Sequence, residues 1–281
     1  MTQAALNFEL SEYQERIAKT RTAMQAQGIE LLIVSDPSNM AWLTGYDGWS
    51  FYVHQCVLLS LEDEPIWFGR SQDANGAKLT TFMNLDNIVG YPDIYVQSTE
   101  RHPFDYLCRE VIYAHSWEKS TIGVELDNYY FSAAAYESLK QHLPMAKLQN
   151  ANALVNWQRA IKSEQEIEYM RIAARIVEKM HTRIVERIQP GLRKNEWVAD
   201  IDHTGIMGAG MHGGDYPAIV PLLPRGVDAG APHLTWDDKP FKRGAGTFFE
   251  IAGCYKRYHC PLSRTVYLGK PPDTILEAEK A

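Results

Sequence analysis

Residues 248–265, FFEIAGCYKRYHCPLSRT, decide how the second half of this chain is read. TFFEIAG and YHCPLSRTVYLG both have strand composition, and the CYKR region between them turns, so the segment reads as a β-hairpin. Two residues break the pattern. Glu250 sets a carboxylate in an apolar strand, where charge is costly to bury. Pro261, opposite it on the return strand, lacks a backbone N–H and so belongs at an edge or a bulge. Strand alternation puts Phe248, Glu250 and Ala252 on one face and Phe249 and Ile251 on the other. A partly desolvated carboxylate in this setting suits acid/base or nucleophilic work. The plain alternative is a solvated ion pair with Arg264 or Lys256.

Upstream of the hairpin, two further segments carry candidate chemistry. His233, in APHL, is of the residue type that serves as a general acid/base. HGGDYP, with His212 and Asp215, reads as a metal-ligating pair or as a glycine-rich loop that approaches a ligand closely, and the loop is the better reading.

Further back, IKSEQEIEYMRIAARIVEKMHTRIVERIQPG has sustained helical periodicity, with Ile167, Met170, Ala174, Val177, Met180 or His181, Ile184 and Ile188 on one stripe. Ser163 and Glu166 form a capping box, and Pro190-Gly191 stops the helix. A domain boundary is therefore expected near 158–163. Before it, Ser11 and Gln14 predict a capped helix over 11–27, with Leu10 as a staple, Ile17, Thr20 and Met24 on its face and Gly28 as its stop. IELLIVS reads as a strand, DPSN as a turn and MAWLTGY as a short segment. QCVLLS, PIWFG, NIVGY and TIGVEL are further strands, interleaved with helix-like PFDYLCREVIYAH and SAAAYESLKQH, which implies an α/β domain. After the hairpin, Thr274 and Glu277 in TILEAEKA open another helix. About seven residues, or ~10 Å of helix, follow that cap, which reads either as a short docked terminal turn or as a chain that stops inside a larger domain, and the second is the better reading.

Composition narrows the class. An apolar fraction of 45 % against 22 % charged residues is that of a globular protein. The net charge of −7 comes without any basic block, which argues against nucleic-acid binding. Four cysteines without a CxxC pair indicate neither a disulfide framework nor a zinc knuckle. The N-terminus lacks the pattern of a signal peptide, and no run approaches the ~20 apolar residues that span a bilayer. A soluble, cytoplasmic protein with no membrane partner is expected.

SNMAWLTGY, the helix opening IKSEQEIEYMRIAA and the segment APH…RGAGTFFEIAGCYKRYHCPLSRT together resemble the creatinase, prolidase and methionine aminopeptidase superfamily, over essentially the whole chain. Within it, FFEIAGCYKRYHCPLSRT most resembles the ectoine hydrolases, which open the cyclic amidine ring of ectoine. The resemblance implies an α/β creatinase-like domain over 1–160 and an α+β pita-bread catalytic domain over 161–281, whose C-terminal half is absent. It also implies ectoine or hydroxyectoine as substrate. Metallopeptidase members place one Asp on each hairpin strand for a two-metal centre; here those positions hold Glu250 and Pro261. The resemblance thus implies no metal, no cofactor, and Glu250 and His233 as catalytic residues. It further suggests a homodimer in which Phe51 and Tyr52 contact substrate, aromatic packing being their plain alternative; His212 and Asp215 of the HGGDYP loop are the other candidate substrate contacts. Other readings are a creatinase-like amidinohydrolase on another small solute, a non-catalytic dimerisation module and, less favoured, an Xaa-Pro peptidase.

Overall fold

A computed structural model describes residues 4–281. The chain forms two compact units, one up to Ile161 and one from Lys162.

In the first unit, α1 (Leu10–Ala26) buries Tyr13, Arg16, Ile17, Thr20 and Met24. Gly28, at φ +66°, takes the left-handed conformation that ends the helix. The expected box at Ser11 does not form: Glu9 is the N-cap, without a side-chain cap, and Leu10 is exposed rather than stapled. β1 (Leu31–Val34) follows, and DPSN is not a free turn but the start of α2 (Pro37–Thr44). The Asp36 carboxylate accepts from the Ser38 and Asn39 N–H groups, and Pro37 takes the first helical position, which needs no N–H. The unit continues with β2 (Cys56–Ser60), β3 (Ile66–Arg70), α3 (Ala74–Thr80), β4 (Ile88–Tyr91) and α4 (Pro103–Leu107), which runs on as a π-turn to Ile112. It closes with β5 (Thr121–Val124), α5 (Ala133–His142), β6 (Lys147–Asn150) and α6 (Leu154–Gln158).

The strands make one mixed sheet in the order β4-β3-β2-β1-β5-β6, with β2 antiparallel to β1 and β3, and the other pairs parallel. Leu32 and Val34 of β1 join a core with Met24, Met40 and Leu154 on one side of the sheet. Leu31 and Ile33 join Phe104, Leu107 and Leu139 on the other. Cover on both faces explains why IELLIVS is a continuous apolar run rather than an alternating one.

The second unit opens with α7 (Glu164–Arg187). Its capping box is formed: the Ser163 side chain accepts from the Glu166 N–H and the Glu166 carboxylate from the Ser163 N–H. The buried stripe differs from the expected one. Tyr169, Ile172, Ala173, Ile176, Val177, Met180 and Ile184 face inward, while Ile167 and Met170 are exposed. Ile167 and Met170 each lie two residues before the inward Tyr169 and Ile172, about 200° of rotation at 3.6 residues per turn. α8 (Lys194–Met207) and the hairpin β7 (Gly246–Tyr255) and β8 (Tyr258–Tyr267) pack on α7, and α9 (Asp273–Lys280) ends the chain. Pro272, not a Thr274 box, precedes α9 as its N-cap. Gly253 permits the closest approach: a Cβ there would lie 2.2 Å from the Ala173 carbonyl oxygen, so β7 rests on the backbone of α7.

Candidate active site

The hairpin turns at Lys256 and Arg257, both with positive φ (48° and 68°), the geometry of a tight two-residue turn normally given to Asn-Gly. Aromatic rings and one carboxylate hold these two strained residues. Lys256 Nζ lies 5.1 Å from the Tyr169 ring centroid, the Arg257 guanidinium 4.0 Å from that of Tyr216, and the Arg257 N–H donates to Asp215 Oδ2 at 3.3 Å. The buried Glu166 also accepts a 2.7 Å hydrogen bond from the Tyr258 hydroxyl, tying the turn to the start of α7.

Pleating then separates two faces. Phe249 meets His181 and Trp197, and Tyr255 meets Tyr169, at ring centroid distances of 5.3–5.5 Å, so the odd-numbered residues of β7 face α7 and α8. Burial holds His181 below the ordinary histidine pKa, opposed by the Leu262 carbonyl that its Nε2 meets at 3.3 Å and helped by nearby Arg264. Glu250 lies on the other face, half-buried. Neither ion pair considered for it forms. Arg264 pairs with Phe249 across the ladder and so belongs to the opposite face, and Lys256 sits over aromatic rings. The Glu250 side chain makes no hydrogen bond or ion pair among the described residues.

The register corrects the expected pairing of Glu250 and Pro261. Ser263 lies opposite Glu250, and Pro261 lies opposite Ala252. Pro261 is therefore diagonal to Glu250 on the same face. Glu250 exchanges both backbone hydrogen bonds with Leu222 (3.0 and 3.1 Å), so its N–H and C=O point away from β8. Antiparallel alternation gives the Ala252–Pro261 pair the same outward orientation, and the missing N–H of Pro261 removes no ladder bond.

His233 is exposed, in the loop before β7. Its neighbour Leu234 accepts through its carbonyl from the Leu223 N–H at 3.3 Å, and Leu223 adjoins the Leu222 that pairs with Glu250. The fold thus brings the His233 loop and Glu250 to one strand edge through residues 222–223, a link that no spacing rule announces. His212 packs its ring on Tyr255, 5.2 Å between centroids. The Asp215 N–H donates to the Cys254 carbonyl at 2.9 Å, and its carboxylate accepts from Arg257. The glycines of this loop permit contact with α8 itself: a Cβ on Gly214 would lie 2.0 Å from the Gly205 carbonyl oxygen. Phe51 and Tyr52 are in the first unit, in an aromatic group where Trp49 lies 5.1 and 5.7 Å from their rings. Sequence reasoning missed His259, whose Nε2 accepts from the Ala218 N–H at 2.9 Å. That fixes its proton on Nδ1, which donates to the Arg257 carbonyl.

Residues 16–161 match the model of the creatinase/prolidase N-terminal domain, and residues 168–281 match metallopeptidase family M24. The chain belongs to this creatinase/prolidase–M24 family. Across its whole length it is 59 % identical to an ectoine hydrolase of Halomonas elongata, spanning 72 % of that protein. It is 40 % identical to an uncharacterised hydrolase/peptidase of Sinorhizobium fredii, over 96 % of this chain and 69 % of that one. In structure it resembles a prolidase of Thermococcus sibiricus, with a TM-score of 0.79 at 18 % identity, covering 95 % of this chain and 69 % of that one. The fold is accordingly a creatinase-type N-terminal domain followed by an M24 pita-bread domain.

M24 membership raises the question of a metal centre. Among the described residues, no three His, Cys, Asp or Glu side chains converge as a donor set. At the hairpin, Glu250 is flanked by Ser263 opposite and Pro261 on the diagonal, and the pyrrolidine ring offers no donor atom. The described residues do not fit a two-metal centre.

Proposed function

We propose that this protein hydrolyses ectoine, and hydroxyectoine with it, by opening the cyclic amidine ring to an N-acetyl-diaminobutyrate. The observation that carries the reading is the 59 % identity to the Halomonas elongata ectoine hydrolase over the entire chain. The hairpin supports it with a half-buried Glu250 whose carboxylate is not spent on any partner among the described residues.

The substrate class sets the chemistry. An amidinium carbon lies between two ring nitrogens, water must add to it, and the bond from that carbon to one nitrogen must break with the nitrogen leaving protonated. Glu250 pairs with the amidinium charge and carries the attack, on the carbon itself or through the water it deprotonates. His233 shuttles the proton to the departing nitrogen. No step passes through a metal, and the proposed reaction needs no cofactor.

Phe51, Tyr52, His212 and Asp215 complete the reading as substrate contacts. The first two are contributed across a homodimer, which the exposed Trp49 and Tyr52 of the first unit favour. The cytoplasm is the proposed compartment; among the described residues no helix is long and apolar enough to cross a membrane.

The test is a panel of ectoine, hydroxyectoine, creatine and Xaa-Pro dipeptides, assayed by NMR with the full-length protein before and after chelation. Ring opening of ectoine that survives chelation is expected. Turnover confined to Xaa-Pro dipeptides, or lost on chelation, would overturn the proposal.

A further inference from the structure

The loop carrying His233 is exposed from His233 to Trp236, and it does not lie flush on the core. A cleft of about 180 Å³ opens along it, lined by Lys194, Pro224, Asp228 and residues 234–237. A loop bordered by open space on one side is placed mainly by the ties at its two ends.

The first tie is backbone: Leu234 N–H donates to the Ala231 carbonyl at 3.2 Å, and the Leu234 carbonyl accepts from Leu223, beside the Leu222–Glu250 pair. The second joins the loop to the start of α8, where Arg193 Nε donates to the Asp238 carbonyl at 3.0 Å and Lys194 adds an ion pair. Lys194 Nζ lies 2.8 Å from Asp237 Oδ1, with only 5 % of the lysine side chain exposed. The Lys194 N–H also donates to the Lys239 carbonyl at 3.2 Å. Lys194 begins α8, and α8 packs on β7 through Trp197, whose ring centroid lies 5.5 Å from that of Phe249. Both ends of the His233 loop are thereby referenced to the strand that carries Glu250.

We propose that the ion pair between the buried Lys194 and the half-exposed Asp237 is a positioning pair that sets His233 relative to Glu250. This rests on the proposed role of His233 in proton transfer. Asp237 also meets Lys239 Nζ at 3.5 Å, but that lysine belongs to the same loop and cannot anchor it to α8. Lys194 can, because its stem is fixed in the unit's interior and only its ammonium reaches the loop. Misplacing a proton donor by even an ångström lowers turnover with little effect on ground-state binding.

The test combines a double-variant cycle with amide hydrogen exchange on the full-length protein. Lys194→Met and Asp237→Asn should each lower kcat on ectoine about 10- to 100-fold with KM within about 3-fold. In a His233→Ala background, adding Lys194→Met should cost less than about 2-fold more, because positioning has no value once the imidazole is gone. Losses that multiply in the double variant, or an unchanged kcat in both folded single variants, would overturn the assignment. If Lys194→Met does not fold, Asp237→Asn, of equal volume, carries the test. Exchange of the Leu234 and Lys239 amides, which donate to Ala231 and Asp237, should quicken at least about 10-fold in Lys194→Met while α7 stays protected. That reading needs no turnover: quickened exchange in a protein inert towards ectoine upholds the clamp and removes the functional proposal, and unchanged exchange removes the clamp.

Discussion

Glu125 and Glu250 are two carboxylates set among strands, one in each unit, and they stand in opposite conditions. Glu125, just after β5, is 3 % exposed and fully engaged. It accepts from the Ser35 and Asp36 N–H groups at 2.7 and 2.9 Å and from Asn39 Nδ2 at 2.6 Å. Arg159 in turn holds Asn39, donating to its side-chain oxygen at 2.6 Å. Glu250 is half-buried, its backbone fully paired with Leu222 and its side chain with nothing among the described residues. A carboxylate whose lone pairs are taken by donors stabilises a fold and has no capacity left for substrate. One held in place by its backbone alone keeps that capacity, which is what an attacking or proton-accepting group requires.

Five substitutions test this contrast and the packing around the hairpin. Glu250→Gln should lower ectoine turnover by at least about 10³-fold while shifting stability by no more than about 0.5 kcal/mol; a variant that keeps its activity would erase the distinction. Glu125→Ala should do the reverse, costing about 3 kcal/mol in a denaturant titration because three donors lose their acceptor, with activity per folded molecule preserved.

The pH dependence of the same residue gives an independent check. Burial pushes the Glu125 carboxyl above its ordinary 4.5, against hydrogen bonds from Asp36, Asn39 and Ser35 and with Asp36 adding to the rise. The folded state then binds the proton more tightly than the unfolded state, so this group's contribution to stability falls as pH rises from about 4.5 through the folded value. Glu125→Gln should remove that fall from the stability–pH curve, and an unaltered slope would refute the assignment.

Gly253→Ala should cost about 2 kcal/mol by forcing a methyl group against the Ala173 carbonyl, measured as a lowered Tm of the second unit. Pro261→Ala should be the mildest, within about 0.5 kcal/mol, since no ladder bond depends on that position. A clear gain in stability would mean that a ladder bond had been missing there.

Much of the architecture was legible. The Ser163–Glu166 box, the strand runs and the hairpin at CYKR were all readable, because capping and alternation are local rules in which each residue answers to neighbours a few positions away. The inward stripe of α7 was misread at Ile167 and Met170 because apolar spacing alone does not say which side the hairpin will cover. DPSN was read as a turn although Asp-Pro is also the way a helix begins, and the choice fell to α2 packing Met40 and Trp42 into the core. The Lys256-Arg257 turn carries no glycine signal at all; rings from Tyr169 and Tyr216, far away in sequence, hold it.

The site divides in the same way. A carboxylate that interrupts an apolar strand at Glu250, a Pro261 with no side chain able to bind a metal, and a histidine upstream in APHL are legible from residue type alone. Tertiary structure decided that Ser263 and not Pro261 lies opposite Glu250, that neither Arg264 nor Lys256 reaches its carboxylate, and that residues 222–223 join the His233 loop to β7. The reason is physical: strand register and loop placement are fixed by contacts between segments distant along the chain, and no local pattern encodes which partner a strand edge will take.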